Sequence, residues 1–292
     1  MLIESRPIKL NTRTGVLVQR TIPHRNLKMI GAWCFVDHFG PTKQTDGMVV
    51  AAHPHTGLQT VTWLIEGEIE HRDSIGSIQL IRPGQLNLMT AGKGISHSEL
   101  SLAGPENLHA VQLWVALPKH SLEIAPEFEH QAELPRLVYQ GAELTVLVGS
   151  FLSQNAPTKI FSPMVGVEIR VPSGGELTLP LDPEFEHGVL LVQGDSEVAG
   201  LRQTLSSLQY FAPGQKEITL RAMTDSILLL LGGTPFPEKI LMWWNFIGRS
   251  HRDIELARAQ WNDRDVRFGE FEDRIGGWIP APDLPQVELR AR

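Results

Sequence analysis

Short β-prone runs, each closed by a turn, recur through most of this 292-residue chain. Thr60-Val61-Thr62-Trp63-Leu64-Ile65 is rich in β-branched and aromatic residues, and Glu66-Gly67 breaks it. Asp73-Ser74-Ile75-Gly76 has the composition of a turn. Ile78 to Ile81 is a further short run, ended by Arg82-Pro83-Gly84, and His109 to Leu117 is another, ended by Pro118. Strands this short, with turn signals between them, predict an all-β sandwich or barrel.

The same grammar returns in the second half. Gly188 to Gly194 echoes the run that ends at Gly67, and Phe211-Ala212-Pro213-Gly214-Gln215 echoes Ile81-Arg82-Pro83-Gly84-Gln85. Gly67 and Pro83 are 16 residues apart, Gly194 and Pro213 are 19 apart, and Ser226 to Leu231 then supplies an apolar strand. The loose repeat predicts two barrels of one type. Glu127 to Pro135, charged and flanked by Pro126, reads as a connector. The expected domains are residues 1–133, and residues 134–292 with the tail. In that tail Ser250-His251-Arg252-Asp253 resembles a capping box with Asp in place of Glu. Ile254, Ala257 and Trp261 follow at i, i+3 and i+7, the apolar face of a short helix. Trp278 to Pro282 is expected to run extended along one of the barrels.

Composition narrows the function classes. Hydrophobic residues make up 42% and charged residues 20%, an ordinary globular balance. A net charge of −7 without a basic run argues against a nucleic-acid ligand. The single Cys34 excludes an internal disulfide and a cysteine-rich zinc site, and its apolar neighbours suggest an inert buried thiol. The first residues carry no signal-peptide pattern, and the longest apolar run, Ile227 to Leu231, is far shorter than a membrane span. The expected location is the cytoplasm, and the expected state a monomer.

Histidine placement carries the chemistry. Nine of the eleven histidines precede residue 131. His53-Pro54-His55 places two imidazoles on one strand face, because strand residues two apart point the same way. Pro54 stiffens the backbone between them. His97-Ser98-Glu99 is a second such pair, after the turn Ala91-Gly92-Lys93-Gly94. Two pairs on adjacent strands would offer three nitrogens and one carboxylate oxygen to one metal ion. In an octahedral site two positions would remain for water, O₂ or substrate. Imidazole suits zinc, copper, iron and nickel, and a carboxylate hardens the site. Iron(II) is the preferred ion, ahead of manganese, nickel, copper and zinc.

These segments resemble the pirin family. The resemblance rests on the run from His53 to Thr62, on Leu64-Ile65-Glu66-Gly67, on His71-Arg72-Asp73-Ser74, and on the run from Met89 to Glu99. Asp37-His38-Phe39-Gly40 and Gln112-Leu113-Trp114-Val115 also fit, and Leu231-Gly232-Gly233 extends the likeness more weakly. Lys93 stands where the family commonly has arginine, which loses the planar fork. The resemblance implies two tandem cupin barrels of jelly-roll type with a short C-terminal helix. It places one iron in the N-terminal barrel, on His53, His55, His97 and Glu99. Alignment on Gly194 and Pro213 puts Pro180, Asp182, Ile227 and Leu229 at the corresponding positions, so the second barrel is expected to be metal-free.

The resemblance also implies chemistry of the quercetin 2,3-dioxygenase type. A small aromatic flavonol and O₂ are the expected substrates, Glu99 the general base, and carbon monoxide a product. The alternative is a redox-sensitive iron protein that regulates a transcription factor or a metabolic enzyme through protein contact. Trp33, Trp63 and Trp114 are expected in the core, and Phe35, Phe39 and Met89 are candidates for the mouth of the site. Trp243-Trp244 should anchor the helix. His38 and His71 are candidate partners of the ligand histidines, though surface or turn packing is the first expectation for His71.

Overall fold

A computed structural model describes residues 1–10, 16–43, 48–102, 107–271 and 276–291. Strands dominate, and the pattern read from the turns is realised. In the first barrel they are β1 (Val49–His55), β2 (Leu58–Glu66), β3 (Ile69–Asp73), β4 (Ile78–Ile81), β5 (Leu86–Thr90), β6 (Ile95–Ser101), β7 (Asn107–Ala116) and β8 (Glu127–Gln131). One sheet runs β1-β6-β3-β4, and the other contains the order β8-β5-β2-β7. Segment β8 lies where a connector was expected. Its alternating Phe128 and His130 supply contacts that a solvated linker would not make. Phe128 packs beside Met89, Ala91 and Ile95, and His130 Nδ1 lies 2.7 Å from Asn87 Oδ1.

The second barrel contains β9 (Ala142–Phe151), β10 (Met164–Val171), β11 (Glu176–Pro180), β12 (Glu186–Gln193), β13 (Leu208–Phe211), β14 (Glu217–Ala222) and β15 (Ser226–Gly233). Its main sheet includes the order β13-β12-β15-β10-β9, with β11 and β14 paired in a smaller sheet. Val146, Val167, Leu177, Val189, Leu220 and Leu230 meet in its core. Alternation is clearest in β14, where Ile218, Leu220 and Ala222 are buried and their neighbours exposed. Ile227 and Leu229 are buried apolar residues of β15.

Compactness divides the chain into two units of non-contiguous segments. One gathers Met1–Ile8, Gln19–His38 and Gln131–Phe236; the other gathers Lys9–Val18, Phe39–His130 and Pro237–Arg292. The tail, grouped by sequence with the second barrel, thus packs within the unit of the first. Side-chain chemistry explains the docking. The strand pair β16 (Leu241–Trp243) and β17 (Phe246–Gly248) precedes helix α1 (His251–Asn262). Ser250 and Asp253 form a complete capping box, and Ile254, Ala257 and Trp261 are the buried residues of the helix. They pack with Leu241, Phe246 and Phe268, and Trp243 and Trp244 cover the same cluster. Beyond the helix, Ile279 N–H donates to Ala52 O at 2.9 Å, laying the extended tail beside β1. No helix among the described residues is long and apolar enough to cross a membrane.

Candidate metal centre

The predicted histidines converge because two hairpin ends are tied together. β1 and β6 pair antiparallel, with His97 opposite His53, Ser96 opposite Pro54 and Ile95 opposite His55. After His55 the chain turns at Gly57, whose φ is +70°. Gly57 N–H donates to Gly92 O in the turn that precedes β6. A Cβ at Gly57 would stand 2.3 Å from Ile247 O, and one at Gly92 would stand 2.2 Å from Ile124 O. Both positions therefore need glycine, for close approach as well as for positive φ. The side chain of Lys93 in this turn is exposed.

The pairing is not regular throughout. Glu99 stands opposite Val50, so β1 carries one extra residue between Val50 and His53 against the run His97 to Glu99. Such a bulge re-aims side chains locally. On its other side β6 pairs with β3, with His97 opposite Asp73 and Glu99 opposite His71.

His53, His55 and His97 each offer a ligand atom within 4.8 Å of the others. Their ring centres are 4.3 to 5.1 Å apart. Glu99 belongs to an overlapping group, with His71 and His97, that meets the same distance. The structure thus joins three predicted ligands directly and connects the fourth through the shared His97. Trp114 packs edge-on against His55 at 5.1 Å, so it forms site wall as well as core.

Burial sets the electrostatics. Desolvation pushes the His53 imidazole down to about 4, against a hydrogen bond to the Ala51 carbonyl that raises it. His55 and His97 lie well below the ordinary imidazole value, through desolvation first and neighbouring histidines second. All three are therefore neutral at pH 7, the form that ligates metals. His53 Nδ1 donates to Ala51 O at 2.9 Å, which leaves its Nε2 as a lone-pair donor. His55 Nδ1 and His97 Nε2 are buried with no hydrogen-bond partner. Unpaired buried nitrogens are costly, and a cation would satisfy them. The donor set of neutral imidazoles beside a carboxylate fits a transition-metal ion. The Glu99 carboxyl is raised by burial.

Two residues depart from their first expectation, and His71 takes the place of a partner to a ligand histidine that was its alternative reading. His71 is buried rather than on the surface, with Nε2 3.0 Å from Asp73 Oδ2 and its ring stacked on Phe128 at 4.5 Å. Asp73, read as a turn residue, accepts from Ile75 and Ser77 N–H and also reaches His71. The alternation of His71 and Asp73 along β3 was the available signal. Contact with His97 needed the β3–β6 register. His38 has a different place: its Nδ1 lies 2.6 Å from Ser206 Oγ, and both belong to the unit of the second barrel. Trp33 is also in that unit, donating to Val165 O and Gly232 O, and Arg20 covers the ring of Phe35 there. Trp63 and Met89 are buried in the first barrel, and Phe39 and Cys34 are buried as well.

A cavity of about 430 Å³ in the second barrel is lined in part by Phe151, Leu152, Phe185 and His187. It includes none of the predicted ligands.

Known proteins share this sequence and architecture. A Pseudomonas aeruginosa protein provisionally named quercetin 2,3-dioxygenase is 45% identical over 273 residues, spanning 93% of this chain and 87% of its own length. A pirin-like protein of Caulobacter vibrioides is 34% identical, over 91% of this chain and 94% of its own. The crystal structure of a quercetin 2,3-dioxygenase from Acinetobacter baumannii superposes with a TM-score of 0.95 at 43% identity, over 100% of this chain and 97% of that one. The Pirin family model matches residues 15–115, and the Pirin C-terminal cupin domain matches residues 166–269. With two cupin barrels, the histidine cluster in the first, and relatives along nearly its whole length, this chain belongs to the pirin family.

Proposed function

We propose that this protein is an iron-dependent dioxygenase that opens the central ring of a flavonol with release of carbon monoxide. The observation that carries the reading is the cluster of His53, His55 and His97, neutral and with buried unpaired nitrogens, beside the raised carboxyl of Glu99. The name shared by the Pseudomonas and Acinetobacter relatives supports the substrate class.

His53, His55, His97 and Glu99 are the proposed ligands of one Fe(II). When bound, the ion supplies Lewis acidity, a template for substrate and the redox chemistry of O₂. The residues of the chain do the rest. The three imidazoles each bring a ligand nitrogen within 4.8 Å of the others. Trp114 supplies an apolar wall against which an aromatic ring can lie. Glu99 takes the proton of the flavonol 3-hydroxyl at a carboxylate oxygen, as the one carboxylate beside the histidine cluster in the proposed ligand set. Loss of that proton makes the central ring electron-rich enough to react with O₂.

The test loads metal-stripped protein with Fe(II) without air, then adds quercetin and O₂. Loss of flavonol absorbance, O₂ uptake and carbon monoxide in equal amounts is the expected result. Absence of turnover with iron, manganese, nickel and copper alike overturns the enzymatic reading. Elemental analysis of purified protein tests iron separately.

A further inference from the structure

Asp73, His71 and His97 form one chain of contacts that ends in the histidine cluster. Asp73 Oδ1 accepts from the backbone N–H of Ile75 at 3.1 Å and of Ser77 at 2.9 Å. Its Oδ2 lies 3.0 Å from His71 Nε2. His71 Nδ1 lies 3.4 Å from His97 Nδ1. Phe128 stacks on the His71 ring with only 17° between planes, which holds the imidazole flat between its two partners. At the far end, His97 Nε2 is buried and has no hydrogen-bond partner.

With a single ring hydrogen on His71, the proton count along this chain has one consistent solution. A carboxylate accepts hydrogen bonds and has no proton to give. His71 Nε2 must then carry its hydrogen and donate it to Asp73. Neutral His71 is left with a lone pair on Nδ1. Only a hydrogen on His97 Nδ1 makes the contact between the two Nδ1 atoms attractive. His97 Nε2 is then bare. We propose that Asp73, acting through His71, sets the tautomer of His97 so that Nε2 is presented unprotonated to the metal ion. Asp73 and His71 are positioning residues, and the proposal rests on the reading of His97 as a ligand. Residues that orient a ligand histidine through its second nitrogen matter to affinity nearly as much as ligands do.

Asp73→Asn separates this role from simple packing. The amide oxygen must face the N–H groups of Ile75 and Ser77, because the amide NH₂ cannot accept from them. The NH₂ then faces His71 Nε2 and donates to it. His71 must carry its hydrogen on Nδ1, and His97 inverts to carry its own on Nε2. The size and shape of the side chain are unchanged.

The experiment uses metal-free full-length protein with ¹⁵N-labelled histidine rings and reads each tautomer from two-bond ¹H–¹⁵N correlations. His71→Gln identifies the His71 signals by their loss. Wild type should show His71 as the Nε2–H form and His97 as the Nδ1–H form. Asp73→Asn should invert both and weaken Zn²⁺ binding, measured by chelator competition, by about 10–100-fold. A wild-type His97 in the Nε2–H form overturns the proposal, and this spectrum decides even where the variant does not fold. Unchanged tautomers, or affinity within twofold of wild type, in folded Asp73→Asn overturn it too. Failure of flavonol turnover leaves these readouts intact, so the two readings fail separately.

Discussion

His53 and His97 stand directly opposite one another on the antiparallel strands β1 and β6, with ring centres 4.3 Å apart. A long stretch of chain separates them in sequence. Cross-strand neighbours at this distance share whatever lies between them. His55 joins them from the same strand face as His53.

Replacement of any of the three should empty the site. Purified His53→Ala, His55→Ala and His97→Ala are each expected to retain under roughly a tenth of the wild-type metal, since losing a ligand costs more than losing the residue behind it. Elemental analysis gives the stoichiometry. Full occupancy in any of the three removes that residue from the proposed ligand set.

Glu99 separates ligand from base. Glu99→Gln keeps an oxygen donor but removes the proton acceptor. Turnover of the iron-loaded variant should fall by about 10²–10⁴-fold. Steady-state kinetics with quercetin, normalised to bound iron, check this. Wild-type turnover per iron would rule out the general-base role.

The turn at Gly57 is expected to tolerate no side chain. In Gly57→Ala, Cβ would sit 2.3 Å from the Ile247 carbonyl at a φ of +70°. The strain alone is about 1–3 kcal/mol, and the clash forces β17 away from the end of β1. Urea denaturation should show a loss of at least about 2 kcal/mol. Metal content should fall with it, because His55 is two residues from the displaced turn. A variant with wild-type stability would mean that the β16–β17 hairpin moves aside without penalty.

His187 predicts acid sensitivity in the second barrel. Desolvation pushes its imidazole down to about 4, with Asp182 and a backbone hydrogen bond at Phe185 opposing. The side chain is buried, at 1% relative exposure. An unfolded histidine titrates near 6.5, so the unfolded chain gains a proton that the folded one refuses. Stability is unaffected above that pH and is lost as pH falls from 6.5 toward 4. At pH 4.5 the loss is about 2–3 kcal/mol. Denaturation of metal-stripped His187→Gln at pH 7.5 and pH 4.5 should show a correspondingly smaller pH effect than wild type. An identical pH effect in both proteins would show that His187 is not the titrating group.

Much of this molecule is legible in its one-dimensional pattern, because the relevant physics acts within a few residues. Strand alternation places His53 with His55, and the capping box and the spacing of Ile254, Ala257 and Trp261 define the helix. Glycine at 92 lies in a turn that the sequence already marks, whereas the turn at Gly57 and the carbonyls that forbid a side chain at both positions emerge only in the folded chain. Other features depend on pairing between distant segments. His71 reads first as surface or turn packing and Asp73 as a turn residue until β3 pairs with β6, and Phe128 reads as linker until β8 closes against Met89 and His71. The bulge between Val50 and His53 exists only as a mismatch between two strands. Packing of the tail beside β1, with Trp278 next to Ala52, is equally non-local. Sequence by itself determined the barrel repeat, the apolar helix face and the three histidines that meet. Tertiary structure decided which residues stand behind those histidines, because inter-strand register and tail docking depend on contacts between segments far apart along the chain.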